Sequence, residues 1–142
     1  ITPNLLNYTL IHEGESMSNT PPTFAWYVAG KVFKWLKSLG GVEEIGKINN
    51  RKAKKIYQFI DDSNFYENNI NKENRSIMNI PFFLGKDDLD TKFLSESKNA
   101  GLLALKGHRS VGGMRASIYN GLPEEAVDTL IEFMDDFEKK NS

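Results

Sequence analysis

Ten consecutive residues hold the densest chemistry in this sequence: Lys106-Gly107-His108-Arg109-Ser110-Val111-Gly112-Gly113-Met114-Arg115. Three permanent cations and a histidine stand there with three glycines between them, in a chain of formal net charge -1. Arginine's planar fork matches the oxygens of a carboxylate or a phosphate two at a time. Glycine lets backbone approach a ligand closely and lets successive N–H groups converge on an anion. From Met114 onward the residues alternate, with Met114, Ala116 and Ile118 on one side and Arg115, Ser117 and Tyr119 on the other. A strand with that pattern turns Arg115 away from the core, where it can hold a carboxylate in a fixed orientation. The same residues would also make a solvated basic hairpin whose glycines only form the turn. His108 taken singly reads as a surface or capping histidine.

A second cluster is Ser18-Asn19-Thr20-Pro21-Pro22-Thr23. Hydroxyls, an amide and unpaired backbone N–H groups gather there at the start of a helix, whose partial positive charge suits a phosphate. Plain helix capping explains the same residues. Other chemistry has less to stand on. There is no Gly-x-Ser-x-Gly elbow and no glycine-rich loop ending in Gly-Lys-Ser/Thr. His12 has no metal-like partner, no carboxylate pair stands out as catalytic, and no metal site is expected.

The elements around these clusters follow from periodicity. The first twenty residues show no sustained helical period and read as an extended segment or loop. A helix opens at Pro21-Pro22 and carries Phe24, Val28, Val32, Trp35, Leu36 and Leu39 as an apolar stripe until Gly40-Gly41 stops it. A second helix is expected over 42–60, with Val42, Ile45, Ile48, Ala53, Ile56 and Ile60 turned inward. Its basic middle, Arg51, Lys52, Lys54 and Lys55, reads as a solvated outer face. Residues 76–84 read as a strand, with Pro81 at its end or at an edge because proline cannot donate to a ladder. Asp87-Asp88 start a third helix with Leu89, Phe93 and Leu94 inward, and 102–105 read as a short strand before 114–119. Pro123, Glu124 and Glu125 open a last helix whose buried stripe is Val127, Leu130, Ile131, Met134 and Phe137. The expected class is α/β, a small mixed and mainly antiparallel sheet with helices packed on it.

Composition limits the partners. The 142 residues are 39% hydrophobic and 26% charged, and the near-neutral balance argues against a general nucleic-acid or membrane-surface binder. No cysteine is present, which excludes disulfides and thiolate chemistry and fits a reducing compartment. No apolar run approaches the roughly 20 residues that cross a bilayer. The chain opens on Ile1 rather than methionine, which reads as a start inside a longer protein.

Taken together, the two clusters resemble one family in their wording. Residues 16–27, Ser16-Met17-Ser18-Asn19-Thr20-Pro21-Pro22-Thr23-Phe24-Ala25-Trp26-Tyr27, are similar to the segment leading from the large to the small domain of phosphoserine aminotransferases. Residues 106–120, from Lys106 through Arg115-Ala116-Ser117-Ile118-Tyr119-Asn120, resemble that family's substrate-binding signature. Asn74-Arg75-Ser76-Ile77-Met78-Asn79-Ile80-Pro81-Phe82 resembles its strand. The resemblance implies the α+β small domain of a fold type I transferase that uses pyridoxal phosphate. Residues 1–22 would be the tail of the large domain and a linker, and 23–142 the C-terminal small domain with its connecting helix.

It also implies roles. Asn19 and Thr20 would bind the cofactor phosphate, typically that of the neighbouring subunit in a homodimer. His108 and Arg109 would line the pocket for the substrate's phosphate, and Arg115 would receive its α-carboxylate. In the family the lysine that forms the Schiff base lies upstream of the Asn-Thr-Pro-Pro-Thr segment. None of the eighteen residues before Asn19 is a lysine, and the fourteen lysines after it match no part of that motif. No catalytic residue is therefore expected within this chain, and by itself it is expected to be inactive. The implied parent is a cytoplasmic transaminase of serine biosynthesis, also acting on a phosphorylated four-carbon acid in pyridoxine biosynthesis. Another class V aminotransferase is the near alternative, and the His108-Arg109 pair favours a phosphorylated substrate. A stand-alone anion-binding module without chemistry is the alternative of a different kind. It would cover the first helix with its own chain, whereas a fragment would leave Trp26 and Trp35 exposed.

Overall fold

The computed structural model describes residues 2–86 and 88–142, so Asp87, expected to open a helix, lies outside the described residues. The chain divides into two units, Ile1–Val42 and Glu43–Ser142.

In the first unit a 3-10 turn, Asn4–Leu6, leads into helix α1, Tyr8–Glu13. The expected loop is thus partly helical. Asn7 makes the difference: its side chain accepts from the Thr9 N–H at 3.1 Å and caps a helix too short to show a period. Helix α2, Thr23–Ser38, begins where the prolines placed it, with Pro22 at its cap. Gly40 and Gly41, at φ 98° and 76°, turn the chain after it. No residue of α2 is buried, and its apolar stripe stays open along Phe24, Val28, Val32 and Trp35.

Helix α3, Gly41–Asp62, enters the second unit and buries Ile45, Ala53, Ile56 and Ile60 as expected. Two expectations fail on it. Val42 is 89% exposed, standing at the first turn before the helix meets the core. Lys52 is fully buried rather than solvated. Its ammonium donates to the carbonyls of Ile118, Tyr119 and Leu122 at 3.1, 2.9 and 3.0 Å, one acceptor for each of its three protons. Burial lowers its pKa, and the Glu124 carboxylate partly opposes that shift.

Three antiparallel strands follow: β1, Tyr66–Glu67; β2, Asn79–Leu84; and β3, Met114–Ser117, in the order β1-β2-β3. The expected small sheet with helices packed on it is borne out. Pro81 is not at the strand's end but opposite Arg115 in the β2–β3 pair. Its carbonyl accepts from the Asn68 side chain at 2.6 Å, on the side away from β3. In an antiparallel strand N–H and C=O of one residue point the same way. The missing donor therefore faces a stretch where β1 has already ended, and no ladder bond is lost.

Residues 102–105 form no strand. Ala104 takes φ 61°, which breaks the alternation and leaves Leu103 exposed, and only the Leu105 carbonyl and a Lys106–Met114 bridge meet β3. Helix α4 runs Asp90–Asn99 with Leu89 at its cap, and α5 runs Glu124–Asn141 behind Pro123. The core lies on one face of the sheet. Ile80, Phe82, Met114, Ala116 and Ile118 pack there with the buried faces of α3 and α5, around rings from Tyr66, Phe93 and Phe137. Phe93 of α4 stacks edge-on against Tyr66, Phe82, Phe133 and Phe137 at 5.0–6.3 Å. The opposite face carries Arg115, Ser117 and Tyr119 with Asn79 and Phe83, half-buried or exposed.

Candidate active site

The basic segment is a closed loop. Gly107 N–H donates to the Gly113 carbonyl at 2.8 Å, and Arg115 N–H donates to the Leu105 carbonyl at 2.7 Å. Inside it the N–H groups of Val111 and Gly112 both donate to the His108 carbonyl, at 2.9 and 2.8 Å. Those two donors are used within the turn and are not available to an anion. Gly107 and Gly113 are required by space, while Gly112 has open room and is favoured by its φ of 80°. A Cβ on Gly107 would overlap the Gly112 carbonyl, and one on Gly113 would sit 2.6 Å from the Phe83 ring and 2.7 Å from the Phe82 carbonyl oxygen.

His108 has a defined orientation. Its Nδ1 accepts from the Ser110 N–H at 3.3 Å and lies 2.7 Å from the Ser110 hydroxyl. With Nδ1 an acceptor, the ring proton sits on Nε2, which is then a donor for an incoming anion.

The four arginines sort into two kinds. Arg75 grips Asp61 with both guanidinium ends at 2.8 and 2.7 Å, and Arg51 meets Glu124 at 3.3 Å. Arg109 and Arg115 form no ion pair with a described residue. Arg115 is half-buried and its Nε is enclosed with no hydrogen-bond partner among the described residues. An enclosed, unpartnered N–H costs stability unless something supplies an acceptor. A carboxylate or phosphate supplies it.

His108 and Arg109 thus stand on one closed loop, and Arg115 stands at the start of β3 that follows it. Asn19 and Thr20 belong to the other unit. Their side chains, with that of Ser18, are exposed and hydrogen-bonded to no described residue, just ahead of a sixteen-residue helix whose cap, Pro22, makes no side-chain bond. Uncommitted amide and hydroxyl groups at such a helix start fit the phosphate end of pyridoxal phosphate. Among the described residues no group of side chains could hold a metal ion, and no helix is long and apolar enough to cross a membrane.

Lys52, expected on a solvated outer face, instead ties α3 to the chain that leaves β3. Its signal was present: Ile45, Asn49, Lys52, Ile56 and Ile60 fall at helical spacing, so Lys52 occupies a core position despite its charge.

Fold and loop together have a counterpart among known proteins. Residues 2–130 match the family described as Aminotransferase class-V, and the chain belongs to that family. The similarity then narrows to one member. The phosphoserine aminotransferase of Hahella chejuensis is 62% identical over 140 residues, 99% of this chain and 39% of that protein. That of Shewanella woodyi is 58% identical over 138 residues, 97% of this chain and 38% of that protein. A solved phosphoserine aminotransferase from Bacillus circulans subsp. alkalophilus superposes with TM-score 0.92 at 41% identity, over 99% of this chain and 39% of its own. A pyridoxal-phosphate-bound one from Trichomonas vaginalis does so with TM-score 0.85 at 43% identity, over 95% and 39%. The chain spans about two fifths of the length of the curated relatives it matches. The resemblance read from the motifs is borne out.

Proposed function

We propose that this chain is the C-terminal part of a phosphoserine aminotransferase, which moves an amino group between glutamate and 3-phosphohydroxypyruvate to give phosphoserine and 2-oxoglutarate for serine biosynthesis. The observation that carries the reading is the pair of unpaired arginines, Arg109 and Arg115, held by a glycine-locked loop in a chain 58–62% identical to enzymes of that name. Arg115 receives the α-carboxylate on the open sheet face, and Arg109 with the His108 Nε2 proton receives the substrate phosphate. Asn19 and Thr20 hold the phosphate of pyridoxal phosphate across a homodimer interface. The cofactor, when bound, supplies the electron sink for the transfer. Residues 1–22 are then the tail of the large domain, and 23–142 the small domain with its connecting helix. A phosphorylated four-carbon acid of pyridoxine biosynthesis is the second substrate, and the cytoplasm is the site of action.

The identity of 58–62% to enzymes named phosphoserine aminotransferase, carried over 97–99% of this chain, supports this over a stand-alone anion-binding module. The chain alone is expected to be inactive, and titrating it with pyridoxal phosphate should raise no new visible absorbance band. The deciding experiment is an assay of the full-length protein with phosphoserine and 2-oxoglutarate, beside its Arg115→Ala variant. Losing a bidentate charged contact should raise KM about a hundredfold with cofactor affinity unchanged. No turnover of phosphoserine would end the reading, and equal losses of substrate and cofactor binding would remove Arg115 from the carboxylate role.

A further inference from the structure

Beside Arg115 on the open sheet face lies a polar trio that the reading above leaves unused. Asn79 faces Ser117 across the β2–β3 pair, two residues along from the Pro81–Arg115 pairing. The Ser117 hydroxyl donates to Asn79 Oδ1 at 3.1 Å, and the Tyr119 hydroxyl donates to the same oxygen at 3.0 Å. With both O–H groups donating to that oxygen, the amide sits with its NH2 end turned away from them. Its carbonyl end is fully used. Its NH2 end makes no hydrogen bond with a described residue and is not enclosed, so it remains an available donor.

The position of that donor matters. Asn79 is the diagonal neighbour of Arg115 across the antiparallel pair, and such neighbours lie about 7–8 Å apart, so the amide and the Arg115 side chain border the same small space. An organic acid a few atoms long can touch both. Tyr119 is 56% exposed, where water could satisfy its hydroxyl equally well, so the bond to Asn79 adds little stability. What it does fix is the direction of the amide.

We propose that Asn79 is a substrate-binding residue, donating an amide N–H to the carboxylate-bearing end of the acid that Arg115 holds. Tyr119 and Ser117 are positioning residues that keep this amide with its donor outward. The inference rests on Arg115 being the carboxylate receptor. A neutral donor there strengthens the hold on an anion without adding charge, and it disfavours ligands that present a donor at the same place.

The test uses the full-length enzyme with pyridoxal phosphate bound, as wild type, Asn79→Asp, Tyr119→Phe and Arg115→Ala. Asn79→Asp replaces the donor with a like charge beside the carboxylate. KM for phosphoserine and for 2-oxoglutarate should rise about ten- to a hundredfold with kcat far less affected. Tyr119→Phe frees the amide to turn, and KM should rise about threefold, the effect of a weak hydrogen bond. Cofactor absorbance and melting temperature should stay near wild type in both. An unchanged KM in Asn79→Asp while Arg115→Ala raises it overturns the role of Asn79 alone. Unchanged KM in both variants removes the carboxylate reading beneath it. Loss of cofactor or a drop of melting temperature in step with KM makes the trio structural and also overturns the proposal. Should Asn79→Asp fail to fold, Tyr119→Phe decides, and an unchanged KM there counts against it.

Discussion

Gly113→Ala separates two ways in which a glycine can be required. Gly113 has φ 57°, and an added Cβ would lie 2.6 Å from Phe83 Cδ1 and 2.7 Å from the Phe82 carbonyl oxygen, against a practical limit of 3.0 Å. The Phe83 ring can swing aside. The Phe82 carbonyl belongs to the central strand and cannot, so Gly113 itself must shift by a few tenths of an ångström. Gly101 is the control: φ is 83° and a Cβ there meets nothing within 4 Å. A left-handed backbone costs an alanine roughly 1–2 kcal/mol at either site. Crowding adds about 1–3 kcal/mol at Gly113 only. Urea unfolding followed by circular dichroism should therefore place Gly113→Ala about 1–3 kcal/mol below Gly101→Ala. The Gly113 carbonyl also closes the loop by accepting from Gly107, so in the full-length enzyme KM for phosphoserine should rise in Gly113→Ala and not in Gly101→Ala. Equal destabilisation by both variants would refute the claim that close packing, beyond backbone angle, demands glycine at 113.

Three further outcomes follow from the packing and the ion pairs. Phe93→Ala, at the centre of four ring contacts, should cost about 3–5 kcal/mol in the same unfolding assay, and a loss below 1 kcal/mol would show that the core collapses onto the gap. Lys52→Met keeps the length but leaves three carbonyls without their donor, so it should destabilise by about 2–4 kcal/mol; a neutral or stabilised variant would show the buried ammonium to be dispensable. The Arg75 hydrogen bonds hold the Asp61 carboxyl below its ordinary pKa. A depressed folded value means the pair stabilises fully above the unfolded value, about 4, and that this is lost as pH falls through the folded one. The melting-temperature gap between wild type and Asp61→Asn should thus narrow as pH falls from about 5 to about 2, and a constant gap would remove the ion pair as its cause.

The second unit was largely legible in the residues. Met114, Ala116 and Ile118 announced a strand with one buried face, and Pro123-Glu124-Glu125 announced the start of α5, because each pattern is set by neighbours in sequence. What stayed hidden depended on partners far along the chain. Lys52 stands among core positions, but its three carbonyl acceptors lie more than sixty residues away. The run at 102–105 has strand composition, yet the φ of Ala104 is imposed by the tertiary path. In the site, the setting of Arg109 and Arg115 among glycines was readable, and with it the proposal that they bind anions. That they would be the arginines without acids was not, since pairing is a property of the folded surface.

Pro81 has a consequence for the protein's behaviour in a crowded solution. β1 is two residues long and covers only the Leu84 end of β2, so residues 79–82 lie along an open sheet margin. A stranger's strand docking there needs alternating donors and acceptors to read. At Pro81 the donor does not exist, and its acceptor is already taken by Asn68. The opposite margin, along β3, is occupied where the Leu105 carbonyl takes the Arg115 N–H. A sheet of three short strands, otherwise open to sideways extension into an aggregate, is therefore blunted on one flank by a pyrrolidine ring and an amide cap and on the other by its own chain.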